Sequence, residues 1–201
     1  MDKLSLRKVC ATLMVDVYSV SGGRNFYRWG NTEMVITELA DTVIVTFRGS
    51  DSLSDWNTNL SAFPSTRTKV GRFHRGYHAR VISLIVDLDS VLAKFVDKGK
   101  DLVFNGHSKA GQEAQIAAVY SKWHVTQIVT FGSPKGIAKL YDPKYEKDLT
   151  KRTTHYVNRC DSVTKLPCWW KRIGKTVAFS LELSGHDHSA ERAYLAHFNN
   201  L

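Results

Sequence analysis

Short runs of apolar residues alternate along the chain with longer stretches in which apolar residues recur at helical spacing. Residues 34–39 and 43–47 are rich in β-branched side chains and are separated by a tight turn, so they predict an antiparallel hairpin. Four later apolar runs also predict strands, at residues 102–105, 127–131, 155–158 and 177–181.

Helices are predicted at residues 1–20, 77–95, 112–123 and 190–198. The first two carry their apolar residues on one face, and the third is rich in alanine. Strands that alternate with helices are typical of an α/β fold. We therefore expect a mostly parallel central sheet with an antiparallel N-terminal hairpin and flanking helices.

The length of 201 residues and the hydrophobic share of 43% predict one soluble globular domain over residues 1–201. No apolar run approaches the ~20 residues of a transmembrane helix. The apolar run 9–15 follows basic residues, as in a signal peptide, but Asp16 interrupts it and no small-residue cleavage site follows. A packed helix is therefore favoured over a signal peptide. We expect a protein that is cytoplasmic, associated with a phage or virion, or exported without a signal.

The formal net charge of +9 is concentrated in residues 135–175, where lysine and arginine far outnumber the acids. A basic field attracts polyanions, either nucleic acid or an anionic membrane surface. No zinc finger, RNA-binding signature or basic zipper is present, so specific nucleic-acid binding is not supported. Charge that merely keeps the protein soluble is the alternative.

An apolar run, a small-residue turn with one serine and a helix follow one another from residue 102, in the sequence LVFNGHSKAG. This order is typical of a nucleophile elbow, where a sharp turn makes the serine hydroxyl stand clear of its neighbours. Ser108 is the candidate nucleophile, and the Lys109 amide is placed to stabilise an oxyanion. Ala110 stands where the usual motif has a second glycine. A chance Gly-His-Ser in a loop is the alternative.

A serine nucleophile needs a histidine base and usually an acid that orients it, and α/β hydrolases carry them in the order serine, acid, histidine. Asp161 follows the predicted strand 155–158, and strand ends are where such sheets place catalytic groups. A later loop offers His186 and His188, whereas His197 lies in a predicted helix, a poor place for a base.

Six segments together resemble the class 3 lipase family, whose members are similar to fungal triacylglycerol lipases. The family motifs are FRGS…W…D, HxGF, the elbow, TFGSP, N-x-x-D-x-V-x-x-L-P and a closing DH…Y. The similar segments here are residues 43–60, 73–77, 106–111, 130–134, 158–167 and 187–194. Any one match is weak, but the set follows the family order over most of the chain. The resemblance implies an α/β-hydrolase fold and a serine ester hydrolase.

The resemblance also implies the roles of the candidate triad. Ser108 is expected to be the nucleophile, Asp161 the orienting acid and His188 the base. His186 is the rival for the base, and the family motif favours His188. His107 is expected to pack beneath the elbow.

An oxyanion hole and a lid are implied in the same way. Ser50 is expected to lend its amide and hydroxyl to the oxyanion hole, beside the Lys109 amide. Asn59 occupies the position where the family often has an aspartate that supports this serine, so that support is altered here. Residues 52–66 correspond to the lid. Its apolar members are Trp56, Leu60 and Phe63.

We expect a serine carboxylic-ester hydrolase that acts on acyl lipids as a lipase or phospholipase, through an acyl-enzyme and without a metal or organic cofactor. The alternatives are a small carboxylesterase on soluble or polymer-borne esters and a non-catalytic hydrolase fold that serves as a binding module. Peripheral contact with an anionic membrane is a further expectation, with interior packing as the alternative for the tryptophans. The candidate membrane residues are Trp169, Trp170, Lys171 and Arg172.

Overall fold

The computed structural model describes residues 2–20, 22–23, 25–49, 65–96 and 99–200. The strands are β1 (Phe26–Trp29), β2 (Thr32–Glu38), β3 (Thr42–Phe47), β4 (Ser65–Arg67), β5 (Gly71–His74), β6 (Asp101–His107), β7 (Gln127–Phe131), β8 (Ile137–Leu140), β9 (Thr153–Asn158) and β10 (Lys175–Phe179). The helices are α1 (Lys3–Asp16), α2 (Arg75–Val96), α3 (Lys109–Tyr120), α4 (Pro143–Arg152) and α5 (Ala196–Asn199). A short 3-10 turn occupies Val163–Lys165, and a π-helical segment, Ala190–Leu195, leads into α5.

Seven strands form the central sheet in the order β1-β2-β3-β6-β7-β9-β10. β2 and β3 are the antiparallel hairpin, with Val35 opposite Thr46, and β1 adds an antiparallel edge strand. From β3 to β10 all neighbouring strands run parallel. The predicted α/β class, with its mostly parallel sheet and N-terminal hairpin, is confirmed.

The inner strands β3, β6 and β7 are covered on both faces, which explains their apolar runs, whereas the edge strands β1 and β10 are partly exposed. Ile44 and Val103 pack on one face in a cluster with α1 and the C-terminal helices. Val45 and Phe104 pack on the other face in a cluster with α2 and α3. Because side chains alternate between faces, a strand covered on both sides buries every position, as β3 does.

The N-terminal helix α1 forms as predicted and anchors the strand that leads to the elbow. The Asp2 carboxylate caps it by accepting hydrogen bonds from the backbone amides of Leu4 and Ser5. The buried face of α1 packs against β3, β6 and β7. The side-chain amide of Asn105, in β6, donates to the Cys10 carbonyl at 2.8 Å and fixes α1 to this strand.

The structure adds elements that the sequence pattern does not predict. β4, β5 and β8 form a separate antiparallel sheet of strands too short for a distinctive alternation. α4 begins at Pro143 and is capped by Asp142, but Leu149 is its one buried residue. The helix is strongly polar, so the pattern of apolar runs missed it, although Asp142 followed by Pro143 is a typical helix start.

The C-terminal helix is present, although its geometry is not uniform. Its π-helical part is capped by Ser189, whose hydroxyl accepts from the Arg192 amide at 3.1 Å. Tyr194 and Phe198 point from it into the core and are fully buried. Among the helices of the described residues, none combines the length and apolar character that crossing a membrane requires.

Candidate active site

Ser108 lies in a sharp turn between β6 and α3. Its φ of 58° and ψ of −133° are backbone angles that residues with a side chain rarely adopt, at a cost of roughly 1–3 kcal/mol. Small neighbours make the turn possible, since a Cβ on Gly106 would lie 2.7 Å from the carbonyl atoms of Ala110. A Cβ on Gly111 would lie 1.9 Å from Ser133 Oγ. The methyl group of Ala110 is fully buried here, so the fold accommodates this departure from the usual motif.

Three separate loops bring Ser108, His188 and Asp161 together. Asp161 follows β9, and His188 lies in the loop between β10 and the π-helical segment. His188 Nε2 is 2.8 Å from Ser108 Oγ, and His188 Nδ1 is 2.7 Å from Asp161 Oδ2. Because a carboxylate only accepts, Nδ1 carries the proton, and Nε2 is left to accept from the serine hydroxyl. All three side chains are buried.

Asp161 is held by four hydrogen bonds besides the one to the histidine. Its Oδ2 accepts from the Tyr194 hydroxyl at 2.6 Å, and its Oδ1 accepts from the Val163 amide at 2.9 Å. Its own amide donates to the Asn158 carbonyl at 3.1 Å, and its carbonyl accepts from the Thr164 hydroxyl at 2.8 Å. Burial, and then the charge of Asp161, raise the pKa of Tyr194 well above its usual value. The phenol therefore stays protonated and remains a donor, a role that the sequence did not predict.

The backbone of His188 is positioned by His107. The Nε2–H of His107 donates to the His188 carbonyl at 2.9 Å, so its Nδ1 accepts from the Tyr18 hydroxyl at 3.1 Å. Burial, and next the proximity of His188, lower the pKa of His107 well below its usual value, which keeps this ring neutral. His107 lies under the turn, with its ring centroid 4.7 Å from that of His188.

The other two histidine candidates are directed elsewhere. His186 is exposed, although it shares a loop with His188. His197 stacks on Phe179 with the ring centroids 4.0 Å apart. Among the histidines that the structure describes, His188 is the one within hydrogen-bond distance of Ser108 Oγ.

The Lys109 amide begins α3 directly after the serine, at the positive end of the helix dipole. The Lys109 side chain is itself buried. Burial raises the pKa of Glu113, one turn along the helix, and the charge of Lys109 opposes that rise. The second predicted oxyanion donor, Ser50, lies outside the described residues, three positions after β3 ends. Asn59 and the predicted lid residues Trp56, Leu60 and Phe63 also lie outside them.

The prediction of Trp170 as a membrane residue is wrong, and the Arg172 side chain is bound to the protein itself. Trp170 is only 7% exposed, so its indole is not available to lipid head groups. The Arg172 guanidinium donates to the backbone carbonyls of Ser133, at 2.9 Å, and of Thr164. It therefore joins two loops of the protein.

The other two candidates, Trp169 and Lys171, lie on the surface. Trp169 is 68% exposed, more than most large hydrophobic side chains of the described residues. Lys171 is also exposed and forms an ion pair with Glu146. Contact with a membrane stays a prediction for these two residues.

The sheet is mostly parallel and carries a strained serine turn after one strand, an acid after another strand and a histidine before the last helix. This combination defines an α/β hydrolase. The chain belongs to the class 3 lipases, because the family model for lipase (class 3) matches residues 44–170. The predicted family is thus confirmed, and the protein is a serine ester hydrolase of the lipase type.

Solved fungal lipases share the fold. The mono- and diacylglycerol lipase of Aspergillus oryzae is 16% identical, with a TM-score of 0.72 over 92% of this chain and 82% of its own. Lipase II of Rhizopus niveus is 15% identical, with a TM-score of 0.72 over 90% of this chain and 81% of its own. A triacylglycerol lipase of Penicillium expansum is 15% identical, with a TM-score of 0.62 over 95% of this chain and 87% of its own. A search among curated proteins finds no match.

Proposed function

We propose that the protein hydrolyses acyl lipids with Ser108 as nucleophile, His188 as base and Asp161 as orienting acid. One observation carries the proposal: hydrogen bonds connect Asp161 Oδ2 to His188 Nδ1, and His188 Nε2 to Ser108 Oγ. A serine hydroxyl is a poor nucleophile at neutral pH, and an adjacent, oriented imidazole can accept its proton.

The reaction begins when Ser108 Oγ attacks the ester carbonyl carbon and its proton moves to His188 Nε2. The carbonyl oxygen becomes negatively charged. It then accepts hydrogen bonds from the Lys109 amide and from Ser50, the second donor in this proposal. As the intermediate collapses, the ester C–O bond breaks and His188 protonates the leaving alcohol. Water then attacks the acyl-enzyme and gives a proton to His188. The fatty acid leaves, and the proton returns to Ser108.

Acyl lipids are the proposed substrate class because the chain is a class 3 lipase. The structural relatives include proteins named as mono- and diacylglycerol lipase and triacylglycerol lipase, which supports a glycerol ester. The basic surplus in residues 135–175 favours a phospholipid or an anionic lipid surface over a neutral droplet. Trp169 and Lys171 are the exposed side chains that we assign to contact with that surface.

Labelling with a fluorophosphonate probe tests the nucleophile. The wild-type protein is expected to react at Ser108, and Ser108→Ala is expected not to react. Ser90→Ala is the matched control, because Ser90 is an exposed serine of α2 whose hydroxyl bonds only within its own helix. Labelling of Ser108→Ala would contradict the assignment, and an unreactive wild-type protein would favour the non-catalytic alternative.

The physical state of the substrate, dissolved or aggregated, distinguishes a lipase from a small carboxylesterase. The rate on p-nitrophenyl esters of increasing chain length is measured below and above the solubility limit of each ester. A rise in rate when an interface forms, together with a preference for long chains, is the outcome expected of a lipase. Saturation on short, dissolved esters would favour the carboxylesterase. Mass spectrometry of the products released from mixed lipids then identifies the head group.

A further inference from the structure

A pocket of about 470 Å³ opens where the 3-10 turn after Asp161 meets the loop that precedes β10. Four of the side chains that line it are cationic, namely Lys135, Arg159, Lys165 and Arg172. We call this site the basic pocket. Its volume is in the range of roughly 300–1,000 Å³ that is usual for sites of small ligands. No acidic residue is found among the described residues that line it.

The four cations of the basic pocket have no carboxylate partner. None of them forms an ion pair with an aspartate or glutamate in the part of the chain that the structure describes. Lys135 Nζ and the Arg172 guanidinium donate to backbone carbonyls, and the charge of Asp161 acts on Arg172 without forming an ion pair with it. Lys135 and Arg172 are half-buried, and charged groups with restricted access to water are normally paired, so this arrangement suits an anion.

The electrostatics of the two less exposed cations agree with this geometry. Burial lowers the pKa of Lys135, and the charge of Arg172 lowers it further. Burial also lowers the pKa of Arg172 to about 10, which still leaves this side chain cationic at neutral pH. The two groups therefore repel each other across the same pocket, and an anion bound between them would relieve that repulsion.

We propose that the basic pocket binds a phosphate group, either as inorganic phosphate or as the phosphomonoester head group of a lipid. A phosphomonoester carries a charge of about −1.5 to −2 at neutral pH and three strong acceptor oxygens, which suits several converging cations better than a single carboxylate does. Arg159 adds a planar donor pair of the kind that binds phosphate oxygens two at a time, and Arg172 adds a further positive charge. Ser108 does not line this pocket, so the proposal goes beyond ester hydrolysis and does not depend on it.

Isothermal titration calorimetry with sodium phosphate, against sodium chloride at equal ionic strength, tests the site. We expect saturable binding to the wild-type protein. The double variant Arg159→Gln/Lys165→Gln removes two exposed cations of the pocket and should weaken the affinity at least ~10-fold, as expected for the loss of charge-assisted contacts. The double variant Lys69→Gln/Lys94→Gln makes the same change in net charge on exposed residues outside the pocket. It should bind phosphate as the wild type does.

Two results would overturn the proposal: no phosphate-specific heat with the wild-type protein, or an equal loss of affinity in both double variants. Circular dichroism and the rate on a soluble ester verify that both variants are folded. If the pocket variant has lost its fold, Lys165→Gln alone is titrated in its place, with Lys94→Gln as its control.

Vesicles distinguish the two sources of the phosphate group. Co-sedimentation is measured with phosphatidylcholine vesicles, with and without phosphatidic acid, whose phosphomonoester is exposed. For a lipid head group, phosphatidic acid should increase binding, inorganic phosphate should compete, and the pocket variant should lose more binding than the control variant. Equal vesicle binding by the two variants, combined with a calorimetric difference between them, assigns the pocket to free phosphate. Equality of the two variants in both measurements would refute the site.

Discussion

The Tyr194 hydroxyl donates to Oδ2 of Asp161 at 2.6 Å, the same carboxylate oxygen that His188 Nδ1 contacts. The phenol ring is fully buried and packs edge-on against Phe131 and Phe179. Since packing fixes the ring, its hydroxyl fixes the carboxylate in turn. Tyr194 is therefore a positioning residue that acts on the proposed base through Asp161.

Removal of this donor should affect the rate more than substrate binding. Tyr194→Phe keeps the ring and loses the hydroxyl, and we expect kcat on a soluble ester to fall roughly 10-fold, as for one hydrogen bond to a charged group. KM should change little, because Asp161 does not contact the substrate in the proposed mechanism. Tyr145→Phe is the control, since it loses a hydrogen bond to the Ala118 carbonyl in another part of the fold. Steady-state kinetics that show equal losses in both variants would argue against a positioning role.

Two histidines in one loop, His186 and His188, are the candidates for the base. Their alanine variants distinguish between them. His188→Ala should lower kcat by roughly 10⁴-fold or more, as loss of a triad member does in other serine hydrolases. His186→Ala should retain most activity, because the His186 side chain is exposed while His188 meets Ser108 Oγ. Initial rates on a short-chain ester decide between them. An inactive His186→Ala beside an active His188→Ala would reverse the assignment.

Gly106 is required by the close approach of β6 and α3 at the elbow. A Cβ there would lie 2.7 Å from the backbone of Ala110, which has no flexible end to move aside. We expect Gly106→Ala to lower the free energy of unfolding by about 1–3 kcal/mol, as measured by urea denaturation. Gly22→Ala is the control, because a Cβ on Gly22 meets no atom within 4 Å. Similar losses in both variants would show that the elbow is not tightly packed.

Most of the central sheet could be predicted from the sequence because its inner strands are buried on both faces, whereas the partly exposed edge strand β1 was not predicted. β3 and β6 are apolar at successive positions, and the long helix α2 shows a clear period, since each packs against the core. β4, β5 and β8 have only three or four residues, and α4 buries only Leu149, so their positions are set by tertiary contacts. The short strands leave no distinctive local pattern, whereas α4 does have a local start signal in Asp142 and Pro143.

The candidate site shows the same division. The small residues around Ser108 and the order of Asp161 and His188 are local features, and the structure brings these three residues together. The contact between Tyr18 and His107 joins residues far apart in the chain, so no motif or residue spacing in the sequence predicts it. The membrane assignment of Trp170 failed for a related reason. A tryptophan beside cations has the same local sequence whether its indole is buried or exposed.

Arg172 joins the segment that carries Asp161 to the loop after β7, so we expect its loss to affect every substrate. Its guanidinium donates to the Thr164 carbonyl, and the Thr164 hydroxyl donates to the Asp161 carbonyl at 2.8 Å. Arg172→Gln should lower the free energy of unfolding by about 1–3 kcal/mol. It should also lower kcat by a similar factor on soluble esters and on vesicles. The two substrates are assayed in parallel. Lys171→Gln, the exposed neighbour, should retain activity on the soluble ester. Loss on vesicles alone in Arg172→Gln would show that Arg172 acts in lipid binding and does not support the triad.

His155 gives the fold a built-in sensitivity to acid. It is completely buried in β9, where its Nε2–H donates to the Ile173 carbonyl at 2.9 Å and its Nδ1 accepts from the Thr130 hydroxyl at 2.6 Å. Burial, and next the charge of Arg172, lower the pKa of His155 to about 3. In the unfolded chain a histidine titrates near ~6.5.

Below about pH 6.5 the unfolded chain therefore binds a proton that folded His155 does not, and stability falls by up to about 1.4 kcal/mol per pH unit until the folded pKa is reached. Above that pH the contribution is absent. Urea titrations at about pH 7 and pH 5 measure how much unfolding free energy each protein loses on acidification. The loss in His155→Gln should be about 2 kcal/mol smaller than the loss in the wild type. Thr130→Val is the control, because it removes the hydrogen bond but keeps the histidine, so it should be less stable at both pH values and retain the acid-dependent loss. An equal acid-dependent loss in His155→Gln and the wild type would show that His155 is not the group responsible.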